Sequence, residues 1–216
     1  MSVRENLKEI QVYTSGARVI AVTKYVSADK VLEAYEAGVR DFGENKAQDA
    51  EKKRNELPSE INKNSNWHFL GHLQTNKVKK VVGEFDYIHS VDSVKLLKAI
   101  SECAVSKGVN QKVLIQVNIA DEESKFGFEP SELEEQFSEF ASFKSVEIVG
   151  LMTMAPFTPS QEEQRAVFRG LKELKERLEK KFNVHLQELS MGMSNDYKAA
   201  VEEGSTMVRI GQAIFR

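Results

Sequence analysis

The chain is poor in cysteine, tryptophan and proline: its 216 residues include one cysteine, one tryptophan and four prolines. A lone Cys103 excludes any internal disulfide, so a packed core must hold the fold, which fits a reducing compartment. No apolar run reaches the ~20 residues of a bilayer-spanning helix, and Met1-Ser2-Val3-Arg4-Glu5-Asn6 leads into no apolar leader. An excess of charge of one sign is lacking too. Thirty basic residues face 33 acidic ones, a formal net charge of -3 with both signs dispersed. That balance argues against a nucleic-acid or membrane-surface footprint. Neither a P-loop pattern nor Gly-x-Gly-x-x-Gly occurs. His68 and His72 are four apart, but Gly71 intervenes and His68 falls in a strand segment, so they make no helical metal pair. His89 and His185 read as packed or solvated. The default is a soluble cytoplasmic protein without a metal.

What is present is a rhythm. With 41% hydrophobic and 29% charged residues, the chain can build a substantial core. Short apolar segments recur at Val19–Thr23, Val39–Gly43, Trp67–Leu70, Tyr87–Ser90, Val113–Ile119, Val146–Leu151, Leu186–Ser190 and Met207–Ile210. Segments of helical period separate them. The clearest is Gln161–Phe182, where Val167, Phe168, Leu171, Leu174, Leu178 and Phe182 form one stripe. Asp92 and Ser93 can cap a second helix carrying Val94, Leu97, Ile100 and Ala104 on one face, and Cys103 lies on its apolar side as a small buried hydrophobe. Eight strand-plus-helix units predict a (β/α)8 barrel in one domain, residues 1–216, with a doubly wound sheet as the alternative. Room for barely one turn follows the eighth strand, so the helical segment Val3–Tyr13 is expected to close the ring. Such a barrel could be a monomer. The polar stretch Leu57–Asn66 reads as a loop.

Active sites of such barrels lie at the C-terminal ends of the strands. The first strand ends at Lys24, which is either a surface residue or an amine held for chemistry, since burying an unpaired ammonium is costly. The seventh and eighth run into Ser190-Met191-Gly192-Met193-Ser194-Asn195-Asp196 and Arg209-Ile210-Gly211-Gln212, where barrels commonly bind phosphate. Ser194 or Asn195 could cap a helix starting near Asp196, and Gly192 and Gly211 would let the backbone approach an anion. Plain capping and tight turns explain the same residues. Arg209 in an apolar strand needs an acceptor; an ion pair with Glu44 would serve, or a ligand. Lysine, phosphate loops and arginine together are the parts of a pyridoxal phosphate (PLP) site.

Seven motifs in order carry a resemblance. They are Ala21-Val22-Thr23-Lys24, Phe42-Gly43-Glu44-Asn45, His68 to Lys77, Val117-Asn118 with Glu123-Ser124-Lys125-Phe126-Gly127, Gly150 to Met154, Leu189 to Tyr197, and Arg209-Ile210-Gly211. The chain resembles the PLP homeostasis proteins, single-domain relatives of the alanine racemase barrel, over nearly its whole length. The resemblance implies PLP carried as a Schiff base on Lys24, its phosphate held by Ser194, Gly211 and nearby backbone at Met193 and Gln212, and its pyridine nitrogen faced by Arg209. Asn45 and Met152 would wall the ring. Gln212 stands where the family often has a small hydroxyl residue, and the chain ends Phe215-Arg216 where the family commonly continues with glycine. The expected role is storage, buffering or delivery of PLP, with PLP-dependent apo-enzymes as possible recipients. A cationic Arg209 weakens the ring as an electron sink, and the further β domain that supplies racemases with a tyrosine is expected to be absent. A weak racemase working with His72 or Tyr197 is the alternative.

Overall fold

In the computed structural model, residues 2–120, 126–158 and 160–216 are described. Eight parallel strands close a barrel in sequence order. They are β1 Arg18–Val22, β2 Asp41–Glu44, β3 Asn66–Phe69, β4 Tyr87–Val91, β5 Gln111–Gln116, β6 Val146–Met152, β7 Glu188–Met193 and β8 Met207–Ile210. Helices α1 Val3–Tyr13, α2 Ala28–Glu36, α3 Ala47–Glu56, α4 Ser59–Lys63, α5 Val94–Lys107, α6 Pro130–Gln136, α7 Gln161–Phe182, α8 Tyr197–Glu202 and α9 Gln212–Phe215 surround it. The (β/α)8 expectation holds. No helix among the described residues is long and apolar enough to cross a membrane.

Local chemistry explains the element ends. Ser2 caps α1 and Glu5 returns a bond to the Ser2 N–H, a reciprocal capping box. Ser93 accepts from the Leu96 N–H at the start of α5, and Gly108 ends that helix at φ 66. The apolar stripe of α7 is buried at Val167, Phe168, Leu171, Leu174 and Leu178, and Cys103 is buried on α5. Several boundaries differ from the sequence reading, β7 among them at Glu188–Met193, and three of the differences have a local cause. Val39 does not open β2; its N–H completes the end of α2 by bonding the Ala34 carbonyl. β5 stops at Gln116 because the Asn118 N–H turns to the Phe128 carbonyl. Leu57–Asn66 is no simple loop, since Ile61 is driven into the core and Ser59–Lys63 coils into α4 behind Pro58.

α9 is a single turn, and α1 closes the ring beside it. The Asn6 side-chain amide donates to the Ile214 and Arg216 carbonyls at 2.9 and 3.0 Å. Helix α1 buries Val3, Leu7 and Ile10 beneath this contact, each worth roughly 1.5–3 kcal/mol of apolar transfer. The barrel interior holds a small apolar cluster of Ile20, Tyr87, Leu114, Val149, Met152 and Met207. The larger core lies between strands and helices.

Candidate functional site

At the C-terminal mouth of the barrel a cavity of about 570 Å³ opens between the loops after β1, β2, β7 and β8. Lys24, Asn45, Met193, Ser194, Arg209, Gly211 and Gln212 line it. Met152 does not. It is 2% exposed inside the barrel, and Met154, two residues later, reaches the cavity instead. Glu123, Ser124 and Lys125 of the motif after β5 lie outside the described residues.

Lys24 sits two residues past β1, half-buried. Among the described residues its Nζ has no hydrogen-bond or ion-pair partner; its contact is the ring of Tyr25, with the centroid 5.1 Å away. The backbone beneath it is held firmly. The Thr23 N–H donates to the Gly43 carbonyl at 2.9 Å. The Thr23 hydroxyl donates to Glu44 Oε1 at 2.6 Å. Lys53, reaching in from α3, donates to the same oxygen and to the Thr23 carbonyl, both at 2.5 Å. Glu44 therefore pairs with Lys53 and not with Arg209, as the sequence left open. Its second oxygen, Oε2, is buried without a hydrogen-bond partner among the described residues. Lys53 escaped the sequence reading; the only signal was its place on the α3 face of Ala50, three residues on.

Arg209 projects inward from β8 and is buried. It donates to Ser190 Oγ at 2.7 Å and to the Thr153 carbonyl at 3.0 Å. Burial draws its pKa down to about 10, against the opposing pull of Asp196. It remains a cation at neutral pH.

The loops after β7 and β8 meet over α9. Asp196, not Ser194 or Asn195, occupies the cap position of α8, and its carboxylate accepts from the Met193 N–H. The Ser194 hydroxyl instead accepts from the Ala213 N–H at 3.3 Å, joining the two loops. Gly192 has φ 94, and a Cβ there would stand 2.5 Å from that of Ala200, so only glycine lets this turn pack on α8. The main-chain N–H groups of Ser194, Asn195, Gly211 and Gln212 have no acceptor among the described residues, and all four residues line the cavity.

Among the described residues the lining carries Lys24, Arg209 and Arg216 and no Asp or Glu side chain. Two guanidinium groups, main-chain donors and the Lys24 primary amine suit a small anionic molecule with an electrophilic carbon. His72 and Tyr197 are not in the lining. His72 pairs with Asp92 at 3.1 Å and stacks on Phe126, while Tyr197 packs edge-on against Tyr13.

Comparison with known proteins agrees with this geometry. The family model described as alanine racemase, N-terminal domain, matches residues 1–216. The chain is 41% identical to the pyridoxal phosphate homeostasis protein of Aquifex aeolicus, over 92% of this chain and 86% of that one. It is 42% identical to the protein of the same name from Homo sapiens, over 92% of this chain and 75% of that one. PipY of Synechococcus elongatus, 36% identical without PLP and 35% identical with PLP bound, superposes with TM-scores of 0.93 and 0.91, covering 100% of both chains in each case. By sequence, fold and extent of match, this chain belongs to the alanine racemase N-terminal domain family and, within it, to the pyridoxal phosphate homeostasis proteins.

Proposed function

We propose that this protein binds PLP in the cavity, attached covalently through Lys24, and serves to store, buffer or deliver the cofactor and not to catalyse a reaction of its own. The observation that carries the reading is Lys24: among the described residues its amine is unpartnered, beside a cavity lined by no Asp or Glu side chain, whose other side offers four unengaged main-chain N–H groups. The PLP-bound PipY structure supports the choice of ligand.

The residues fit the group. Lys24 Nζ supplies the amine for the aldehyde. The loops carrying Ser194, Asn195, Gly211 and Gln212 supply phosphate donors, and Gly211 leaves their backbone uncovered. Bound PLP supplies an electrophilic aldehyde and a ring that withdraws electrons well when its nitrogen is protonated. Arg209, held by Ser190 and Thr153, keeps a guanidinium at the cavity floor and opposes that second positive charge. The ionisable side chains of the lining are Lys24, Tyr25, Arg209 and Arg216. Of these, Tyr25 is 88% exposed, so among the described residues no buried acid–base side chain lines the cavity opposite Lys24. The reading extends to PLP-dependent apo-enzymes as recipients and to a monomer, for which the intrachain seam of α1 on α9 speaks.

Borohydride reduction after PLP addition, followed by digestion and peptide mass analysis, tests the site. The expected label is on Lys24 and disappears in Lys24→Ala. A label on another lysine overturns the assignment. Amino-acid racemisation abolished by Tyr25→Phe supports the enzyme alternative instead.

A further inference from the structure

A barrel of this kind ordinarily fills its interior with layers of bulky branched side chains. Here part of that interior is polar and connected. Asp41 of β2 contacts His68 of β3, Oδ1 to Nε2, at 3.0 Å. His68 Nδ1 lies 2.9 Å from His89 Nε2 on β4. His89 Nδ1 lies 2.9 Å from Ser190 Oγ on β7, and Ser190 Oγ accepts from Arg209 of β8 at 2.7 Å. His68, His89 and Ser190 are each 0% exposed. The series starts at the first residue of β2, at the N-terminal end of the barrel, and finishes at a cavity-lining arginine.

We propose that Asp41, His68, His89 and Ser190 form one positioning chain of hydrogen bonds, polarised in a single direction, that fixes Arg209 at the cavity floor and balances its charge from the opposite end of the barrel. The polarity follows from the two ends. A guanidinium can only donate, and an ionised carboxylate can only accept. Asp41 therefore takes the Nε2 proton of His68. A neutral His68 then presents a bare Nδ1, which accepts from Nε2–H of His89. His89 Nδ1 in turn accepts the Ser190 hydroxyl proton, whose oxygen receives Arg209. Every bond points from Arg209 towards Asp41, and each polarises the next.

The surroundings favour that state. Burial lowers the pKa of His68, with Arg18 adding to the effect and Asp41 and Asp86 opposing it. Burial lowers that of His89 further, helped by His68, Arg209 and Arg18. Asp41 is held below the usual carboxylate range by His68, Asn66 and Arg18 against its own burial. The Tyr87 ring stacks on His68, centroids 4.6 Å apart and 5° from parallel, which fixes the imidazole plane. One added proton would place both ring protons on His68, turn His89 to its other tautomer and reverse the bond to Ser190. The chain therefore has a defined broken state.

The role assigned to Arg209 rests on the PLP reading; the chain itself does not, and two measurements separate them. Long-range proton–nitrogen NMR of histidine-labelled protein without PLP, from pH 5.5 to 8, reads each tautomer. His68 and His89 are expected to carry hydrogen on Nε2 alone throughout. Hydrogen on Nδ1 of either ring, or an imidazolium near pH 6.5, overturns the chain. PLP titration of Ser190→Ala, which cuts the chain one atom short of Arg209, is expected to raise the dissociation constant on the order of tenfold, by analogy with the loss of an outer-shell partner of a metal ligand. Asp41→Asn, which keeps an acceptor but removes the charge, should give a smaller rise and mixed His68 tautomers. An unchanged dissociation constant in Ser190→Ala overturns the positioning role. Wild-type protein that binds no PLP sinks the cofactor reading instead, and the NMR result then decides the chain alone.

Discussion

Lys24 and Lys53 share one stretch of backbone, Lys24 following Thr23 in the chain and Lys53 bonding the Thr23 carbonyl, and live in opposite circumstances. Lys53 is 9% exposed, salt-bridged to Glu44 and bonded to the Thr23 carbonyl. Lys24, the next residue along from Thr23, is half-buried beside the cavity and unpaired among the described residues. One lysine has its donors engaged in holding the chain; the other is left with its donors free for a ligand. The difference teaches that the reactive candidate is not the most buried lysine but the one with nothing to hold. The buried pair beneath it keeps the Lys24 backbone in place, so the free amine costs little freedom when it reacts.

That contrast breaks most visibly by substitution at Lys24. In Lys24→Ala the borohydride-trapped PLP label should vanish entirely, while urea unfolding shifts by no more than about 0.5 kcal/mol, as for surface changes away from buried partners. Lys53→Met should do the reverse. It strands the Glu44 carboxylate in the core and should cost about 3–5 kcal/mol in urea unfolding, with most of the loss recovered in Lys53→Met/Glu44→Leu. No recovery in the double variant would mean that Thr23, not charge pairing, is what Lys53 serves.

A pH series sharpens the picture by isolating the neutral histidines. Both have pKa values lowered in the folded protein, so below the unfolded value near 6.5 the unfolded chain binds more protons than the folded one. Stability must then fall as the pH drops from 6.5 towards each lowered folded value, by up to about 1.4 kcal/mol per pH unit for each histidine. The fall should halve in His89→Gln, measured as the difference in unfolding free energy between pH 6.5 and 5. The smallest effect belongs to a site distant from both lysines. Ser93→Ala removes the α5 cap and should cost about 1 kcal/mol without altering PLP titration.

Much of this was legible in the sequence because it is local. The apolar stripe of α7 and the capping serine of α5 are written within a few residues of one another, and α1 spans Val3–Tyr13 as its pattern requires. The cavity residues were legible because chain order maps onto position around a barrel. The exception, Met152, fails for a physical reason. The last four residues of β6 are all buried, so alternation does not reveal which side chains face the mouth, and a register shift between Val113 and Leu114 of β5 moves the count. The histidine chain was beyond local reading altogether. His68 and His89 are 21 residues apart and His89 and Ser190 are 101 apart, and only closing the ring brings them together.

The bond from Asn6 to the Ile214 carbonyl spans 208 residues. Loop-closure entropy makes such a contact expensive to form early, so the seam between α1 and α9 belongs to the late stages of folding. The loop carrying Gly211 and Gln212 leads directly into that seam, and Ser194 is tied to it through Ala213. The cavity is therefore a product of ring closure and cannot be completed in a chain whose ends have not met. A ligand there acts as a clasp: by mass action it favours the closed ring over every opened form. Ligand-free protein should fray first at this seam, and its amide exchange should slow there when PLP is added.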